Sequence, residues 1–178
     1  PPDYGEGLHR LIEGFAHLFA FAGIAALGME EARRLGEAFA AADRMAALWA
    51  MRVLVDPLLG FGFLFASFYG YSRMAEGAAL LFGGEVPQNF DKPHLARDLA
   101  DFWKRWHRSM AGFVMQHVYL PLLVSTGRPK LALVAAFGFM GIWHDFSAAF
   151  AVWGLGHGLA LGYALPWAKR SGVPDPLI

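Results

Sequence analysis

The chain contains no cysteine. That excludes disulfides, thiolate metal sites and a cysteine nucleophile together, so any acyl chemistry must proceed without an acyl-cysteine. Charge is also scarce, with Asp, Glu, Lys and Arg at 17% and a net charge of zero. Nothing global therefore attracts a nucleic acid. The glycine-rich stretches lack the P-loop and dinucleotide patterns, and no Gly-x-Ser-x-Gly elbow is present. No basic, apolar and small-residue series marks a signal peptide, and internal repeats and low-complexity segments are absent. What the chain has in excess is apolar residues, 56% of the total. They come in long runs, which read as membrane spans more than as a large soluble core. The abrupt ends, Pro1-Pro-Asp-Tyr-Gly5 and Asp175-Pro-Leu-Ile178, are expected to be cut points in a longer protein.

Leu11 to Met29 reads as one span ending at the charged run Glu30 to Arg34, with Glu37 to Ala47 amphipathic beyond it. Val53 to Tyr71 supplies about the 20 residues that a bilayer crossing needs. Asp56, ahead of Pro57, is expected to cap a helix near the interface. Ala75 to Gly83 is too short to cross, and the turn formers of Gly83 to Pro93 predict an irregular loop.

From His94 the pattern turns helical. At about 100° per residue, Leu95, Leu99, Phe102, Trp106, Met110 and Phe113 fall on one stripe. Arg97, Asp98, Asp101, Lys104, Arg105 and Arg108 fall opposite. A basic amphipathic helix of this kind lies along a membrane surface. Ser109 to Ser125, with His117 and Pro121, fits a dip into the membrane, a crossing or packing on other helices. Leu131 to Trp167 carries Asp145 as its only formal charge. One helix of that length would run about 55 Å, too long for one crossing. A break is expected near His144-Asp145, with Gly138 and Gly141 packing closely against Gly154, Gly156, Gly158 and Gly162. The fold class is thus all-α, a multi-pass helical bundle with interfacial amphipathic helices, in a single membrane domain over 1–178.

An ionisable group in so apolar a stretch is costly and marks a functional site. His144 in Trp143-His144 is the leading candidate, because a neutral imidazole is a usable general base near neutral pH. His107 in Trp106-His107 is the second, against a structural reading as a partly buried, backbone-bonded histidine. His157 sits among glycines that let a ligand or a backbone approach. Asp145 follows His144 but diverges from it on a helix. A metal site from His107, His117, His144 and His157 lacks any short ligand spacing, so no metal is assigned. One alternative function is a transporter or proton-linked channel using Asp56, Arg73, His144 and Asp145 as a relay. Another is an inactive scaffold that recruits a partner through the basic helix.

Six blocks in order resemble one family. They are Gly70-Tyr-Ser-Arg-Met-Ala-Glu-Gly77, Pro87-Gln-Asn-Phe-Asp-Lys-Pro93, Asp101-Phe-Trp-Lys-Arg-Trp-His-Arg-Ser109, Val118-Tyr-Leu-Pro-Leu122, Gly141-Ile-Trp-His144 and Trp153-Gly-Leu-Gly-His-Gly158. The chain resembles the membrane-bound O-acyltransferases, in the bacterial branch that includes alginate O-acetyltransferase and the teichoic-acid D-alanyl transfer protein. The matching core runs over about 66–165. The resemblance implies that His144 is the catalytic histidine, deep in a tunnel open to both sides of the membrane. It also implies that His107 and His157 line or brace the tunnel, with Trp106 and Trp143 in support, and that the Asn89 loop shapes the donor side. It further implies a thioester donor, acyl-CoA or an acyl carrier, with no tightly bound cofactor. It implies as acceptor a hydroxyl of a polysaccharide or other envelope polymer, and it leaves room for a periplasmic or extracellular partner acyltransferase. The location implied is the bacterial inner membrane. The chain departs from the branch in the run Ala66-Ser-Phe-Tyr-Gly-Tyr-Ser-Arg73, where Asp is usual ahead of Phe68 and again before Met74, and at Asp145, where glycine is usual.

Overall fold

A computed structural model describes residues 1–170, with side chains through residue 162. It is helical, with no strand among the described residues. Two compact units arise, Pro1–Gln88 and Asn89–Ile178.

The first unit is an antiparallel hairpin of α1 (Tyr4–Ala41) and α2 (Met45–Leu81), both long and apolar enough to cross a membrane. Asp43, at φ 54°, turns the chain between them. Small residues form the seam. A β-carbon on Gly14 would meet the Gly70 carbonyl at 2.6 Å, and one on Gly77 would meet the Gly7 carbonyl at 2.6 Å. Backbones this close give dispersion contact along the pair without large side chains. Outward faces carry Phe19, Ile24, Leu27, Leu54, Leu58 and Leu64, all exposed, as lipid-facing residues must be.

Both helices outrun the expected spans. Beyond Met29, α1 continues through the charged run because Arg33 and Arg34 pair with Glu30 at 2.8 and 3.1 Å, the i,i+3 and i,i+4 contacts that support a solvated helix. At the other end, Ala75 to Leu81 continues α2 and does not form a separate short piece. Asp56 does not cap a helix start either. The helix runs through it, and its carboxylate accepts from Arg52 at 2.7 Å. A π-turn at Met51–Val55 precedes Pro57, just as another at Met115–Tyr119 precedes Pro121. Each widens a turn that the proline ring would otherwise crowd.

One polar cluster crosses the seam. Arg73 donates to Glu13 at 2.8 Å and to Glu76 at 2.7 Å, Tyr69 donates to Glu13 at 2.6 Å, and Arg10 reaches Glu76 at 3.3 Å. Glu76 is 3% exposed. The arginine at 73, where the resembled branch has a carboxylate, is therefore matched by two glutamates. With Asp56 on Arg52 and Arg73 in this cluster, the two relay members in the first unit have partners that the relay did not include.

The second unit begins with the expected irregular loop and a 3₁₀ turn at Pro93–Leu95. Next come α3 (Leu99–Arg105), capped by Asp98, and α4, which runs as Arg108–Val114, the π-turn and Leu120–Thr126. Gly127, at φ 63°, ends it. A hairpin of α5 (Pro129–His144) and α6 (Ala148–Arg170) completes the unit. The single amphipathic helix expected from His94 to Phe113 is thus broken in two at Trp106-His107. Arg97 still bonds Asp101, through its backbone N–H at 3.1 Å, and Arg105 bonds Asp101 at 2.8 Å. The expected break at His144-Asp145 is present, with Asp145 extended at φ −162° and ψ 136°. Gly141 and Gly154 meet at the tightest point of the α5/α6 hairpin and Gly158 packs on Val134, whereas Gly156 faces open space. The core comprises Met110, Val114, Tyr119, Leu133, Ala136, Phe137, Met140 and Leu161. Beside it, α3, α4, α5 and Leu161 of α6 line an apolar cavity of about 250 Å³.

Candidate active site

The two breaks in the second unit bring the candidate histidines together. His107 lies between α3 and α4 with φ 47° and ψ 53°, a left-handed conformation that a residue with a β-carbon adopts only under local constraint. The constraint comes from the Asn89 loop. The Asn89 carbonyl accepts the Arg108 N–H at 3.0 Å, and Asp91 N–H donates to the Arg105 carbonyl at 2.9 Å. The Asn89 side-chain oxygen accepts the Ser109 hydroxyl at 2.6 Å. Phe90 meets Trp106 edge-on at 5.0 Å, and Trp106 stacks on Phe102 at 5.5 Å. Trp106 is 8% exposed, so it anchors the break from beneath.

His144 closes α5. Its ring lies 6.4 Å from that of His107. Trp143 stands at 5.0 Å, Trp153 at 6.0 Å and Phe150 at 6.1 Å around it. Burial, aided by the neighbouring His144, pulls His107 down to about 4 from its ordinary 6.5, so it is neutral near pH 7. His144 and Trp143 are both exposed in this chain, and the deep burial expected of His144 is not met by these residues alone. The His144 ring at the end of α5 is flanked by Phe150 and Trp153 of α6 and by His107 at the α3/α4 break.

His157 sits one turn along α6 from Trp153. Its Nδ1 faces the Trp153 carbonyl at 2.8 Å, and because a carbonyl only accepts, Nδ1 carries the proton. The His157 ring packs on Trp153 at 4.6 Å and on Trp103 at 5.6 Å. Trp103 also touches Trp153 at 5.8 Å and Phe137 at 5.1 Å. The structure therefore unites His107, His144 and His157 with two indoles, Trp103 and Trp153, that the sequence did not single out as site residues. Their i,i+4 spacing to His107 and His157 was the available signal. His117 instead packs at a tilt on Phe113, with ring centres 4.6 Å apart. Among the described residues no group of three or more His, Asp or Glu is placed to hold a metal ion.

The MBOAT, membrane-bound O-acyltransferase family, matches residues 37–170. The chain is 37% identical over 101 residues to a peptidoglycan O-acetyltransferase of Helicobacter pylori, covering 55% of this chain and 19% of that protein. It is 33% identical over 129 residues to a teichoic acid D-alanyltransferase of Streptococcus thermophilus, covering 64% and 31%. It is 32% identical over 121 residues to a probable alginate O-acetylase of Pseudomonas aeruginosa, covering 64% and 23%. The chain thus spans about a fifth to a third of the length of these curated relatives.

Proposed function

Because the chain belongs to the membrane-bound O-acyltransferase family, we propose that this protein transfers an acyl group, acetyl in the first instance, from a thioester to a hydroxyl of an envelope polymer. The observation that carries the reading is the His144/His107 pair, held 6.4 Å apart at two helix breaks and walled by aromatic rings. Relatives named for acetyl transfer to peptidoglycan and for D-alanyl transfer to teichoic acid support the reaction class and the acceptor class.

In this mechanism His144 removes the acceptor hydroxyl proton as the oxygen attacks the thioester carbonyl carbon. The tetrahedral adduct collapses with cleavage of the carbon–sulfur bond, and the departing thiolate takes the proton back from the imidazolium. A positioned base of this kind contributes about 10² to 10⁴ in rate. A neutral His107 adds no positive charge against the imidazolium as it forms. It also offers a second nitrogen to orient the acceptor or donor. The aromatic rings beside His144 offer the thioester an apolar surface to rest on. The donor is acyl-CoA or a loaded acyl carrier, and the setting is the bacterial inner membrane, crossed several times.

The test uses the whole protein in membranes, with radiolabelled acetyl-CoA and envelope polysaccharide, comparing wild type with His144→Ala. Transfer by wild type alone, at least about 100-fold above the variant, is the expected result. Equal transfer by both would remove His144 as the base. Transfer by neither would remove acetyl-CoA as the donor.

A further inference from the structure

Trp153 occupies a singular place in the second unit. Its indole touches Trp103 from α3, His144 from the end of α5, and Phe150 and His157 from its own helix. Two features fix it there. The adjacent Gly154 packs against Gly141 and the Phe137 carbonyl, so α6 approaches α5 closely one turn before His144. On the other side His157, anchored by its Nδ1–H on the Trp153 carbonyl at 2.8 Å, packs on the indole at 4.6 Å. The His144 and Trp153 rings then meet at 6.0 Å with an interplanar angle of 87°. In such a T-shaped pair the electropositive edge of one ring meets the electron-rich face of the other, and indole offers the richest face among the aromatic side chains.

Resting on the general-base reading above, we infer that the His144 ring turns its edge to the indole face of Trp153, so that Trp153 is a positioning residue that fixes the His144 ring and stabilises its protonated form. Proton uptake turns a neutral edge-to-face contact into a cation–π contact, which strengthens as charge develops. The indole thereby favours the state that exists only after proton removal, the condition under which an interaction raises the rate. The titratable groups near His144 are His107, across from it at the α3/α4 break, and Asp145, which follows it in the chain. His157 lies behind Trp153. Of the rings around His144, Trp143 is its chain neighbour and is carried by the same helix, whereas Trp153 reaches it from the opposing helix and so fixes its orientation across the break.

The experiment measures acyl transfer against pH for the whole protein in membranes, with Trp153→Leu, Trp153→Phe and His144→Ala beside wild type. For Trp153→Leu we expect kcat to fall about tenfold with KM for the donor little changed. The acidic limb of the profile should move about one pH unit lower, because the imidazolium loses its stabilising face. Trp153→Phe, which keeps the core filled, should move the limb in the same direction by less. An unmoved limb in both variants overturns the inference, whether activity falls or not, since lost packing alone reduces rate without changing the titration. Inactive His144→Ala beside unmoved limbs leaves the base assignment standing and the Trp153 role refuted. Active His144→Ala refutes both.

Discussion

The left-handed turn at His107 costs an L-residue roughly 1–2 kcal/mol, and it is held by hydrogen bonds from a loop almost twenty positions earlier. A side-chain contribution comes from Asn89, whose Oδ1 accepts from Ser109 Oγ at 2.6 Å and from Ser109 N–H at 3.4 Å. Asn89→Ala should lose about 1 kcal/mol, the net worth of one such bond, and a larger factor in transfer activity as His107 drifts from His144. Asn89→Asp, which retains the acceptor oxygen, should recover both in a paired stability and activity measurement. The depressed His107 makes a second expectation. Unfolded His107 takes a proton near 6.5 whereas the folded one resists until about 4. Between these values the unfolded state binds more protons, so the contribution is neutral above about pH 6.5 and destabilises progressively as pH falls towards 4. His107→Asn tolerates the left-handed backbone and cannot titrate, so it should flatten that part of the stability–pH curve of the detergent-solubilised protein. The individual histidines and Asn89 were legible from the motif blocks. The break that unites them was not, because apolar periodicity runs unbroken through Trp106 and nothing local signals a left-handed histidine.

At the level of elements, side-chain volume decides where helices can meet. Gly14 and Gly23 lie in the same helix, yet a β-carbon at Gly14 collides with the Gly70 backbone while one at Gly23 meets nothing within 4 Å. Gly14→Ala should therefore separate α1 from α2 and lower thermal stability by about 1–3 kcal/mol, the usual cost of overpacking. Gly23→Ala should be neutral or gain up to about 1 kcal/mol from helix propensity. Reversal of that order would mean that the hairpin seam lies on another face. The apolar runs made both long helices legible, and the charge and glycine of Leu131 to Trp167 placed the α5/α6 break correctly. Their lengths were misread because charged residues were taken as helix ends. In α1 the arginines and glutamates pair along one face, and in α2 Arg73 and Glu76 find partners across the seam. The sequence lists these charges without showing that they satisfy one another.

For the hairpin of α1 and α2 taken whole, the paired charges fall into two layers. Glu6, Arg10, Glu13, Arg73 and Glu76 form one cluster, while Glu30, Arg33, Arg34 and Glu37 on α1, with Arg52 and Asp56 on α2, form the other. Between them, residues 14–29 and 57–72 carry no Asp, Glu, Lys or Arg. Each charge-free stretch is about 24 Å long at 1.5 Å per residue, shorter than the roughly 30 Å of an average hydrocarbon core. A short span is accommodated by local thinning of the bilayer or by long charged side chains reaching to the interface. The arginines on both sides are suited to the second. The full helices, longer than the bilayer is thick, must therefore project beyond it, so α1 past Met29 lies in headgroups or water. Because the chain has no cysteine, single cysteines introduced into a version of the whole protein with any other cysteines removed report depth directly. Cysteine in place of Ile24 or Phe61 should resist a membrane-impermeant maleimide in membrane fragments open on both sides. Cysteine in place of Glu31 or Arg34 should label readily. Labelling at Ile24 and Phe61 as fast as at Glu31 would place the charge-free stretches outside the hydrocarbon, and the hairpin would then lie on the membrane without crossing it.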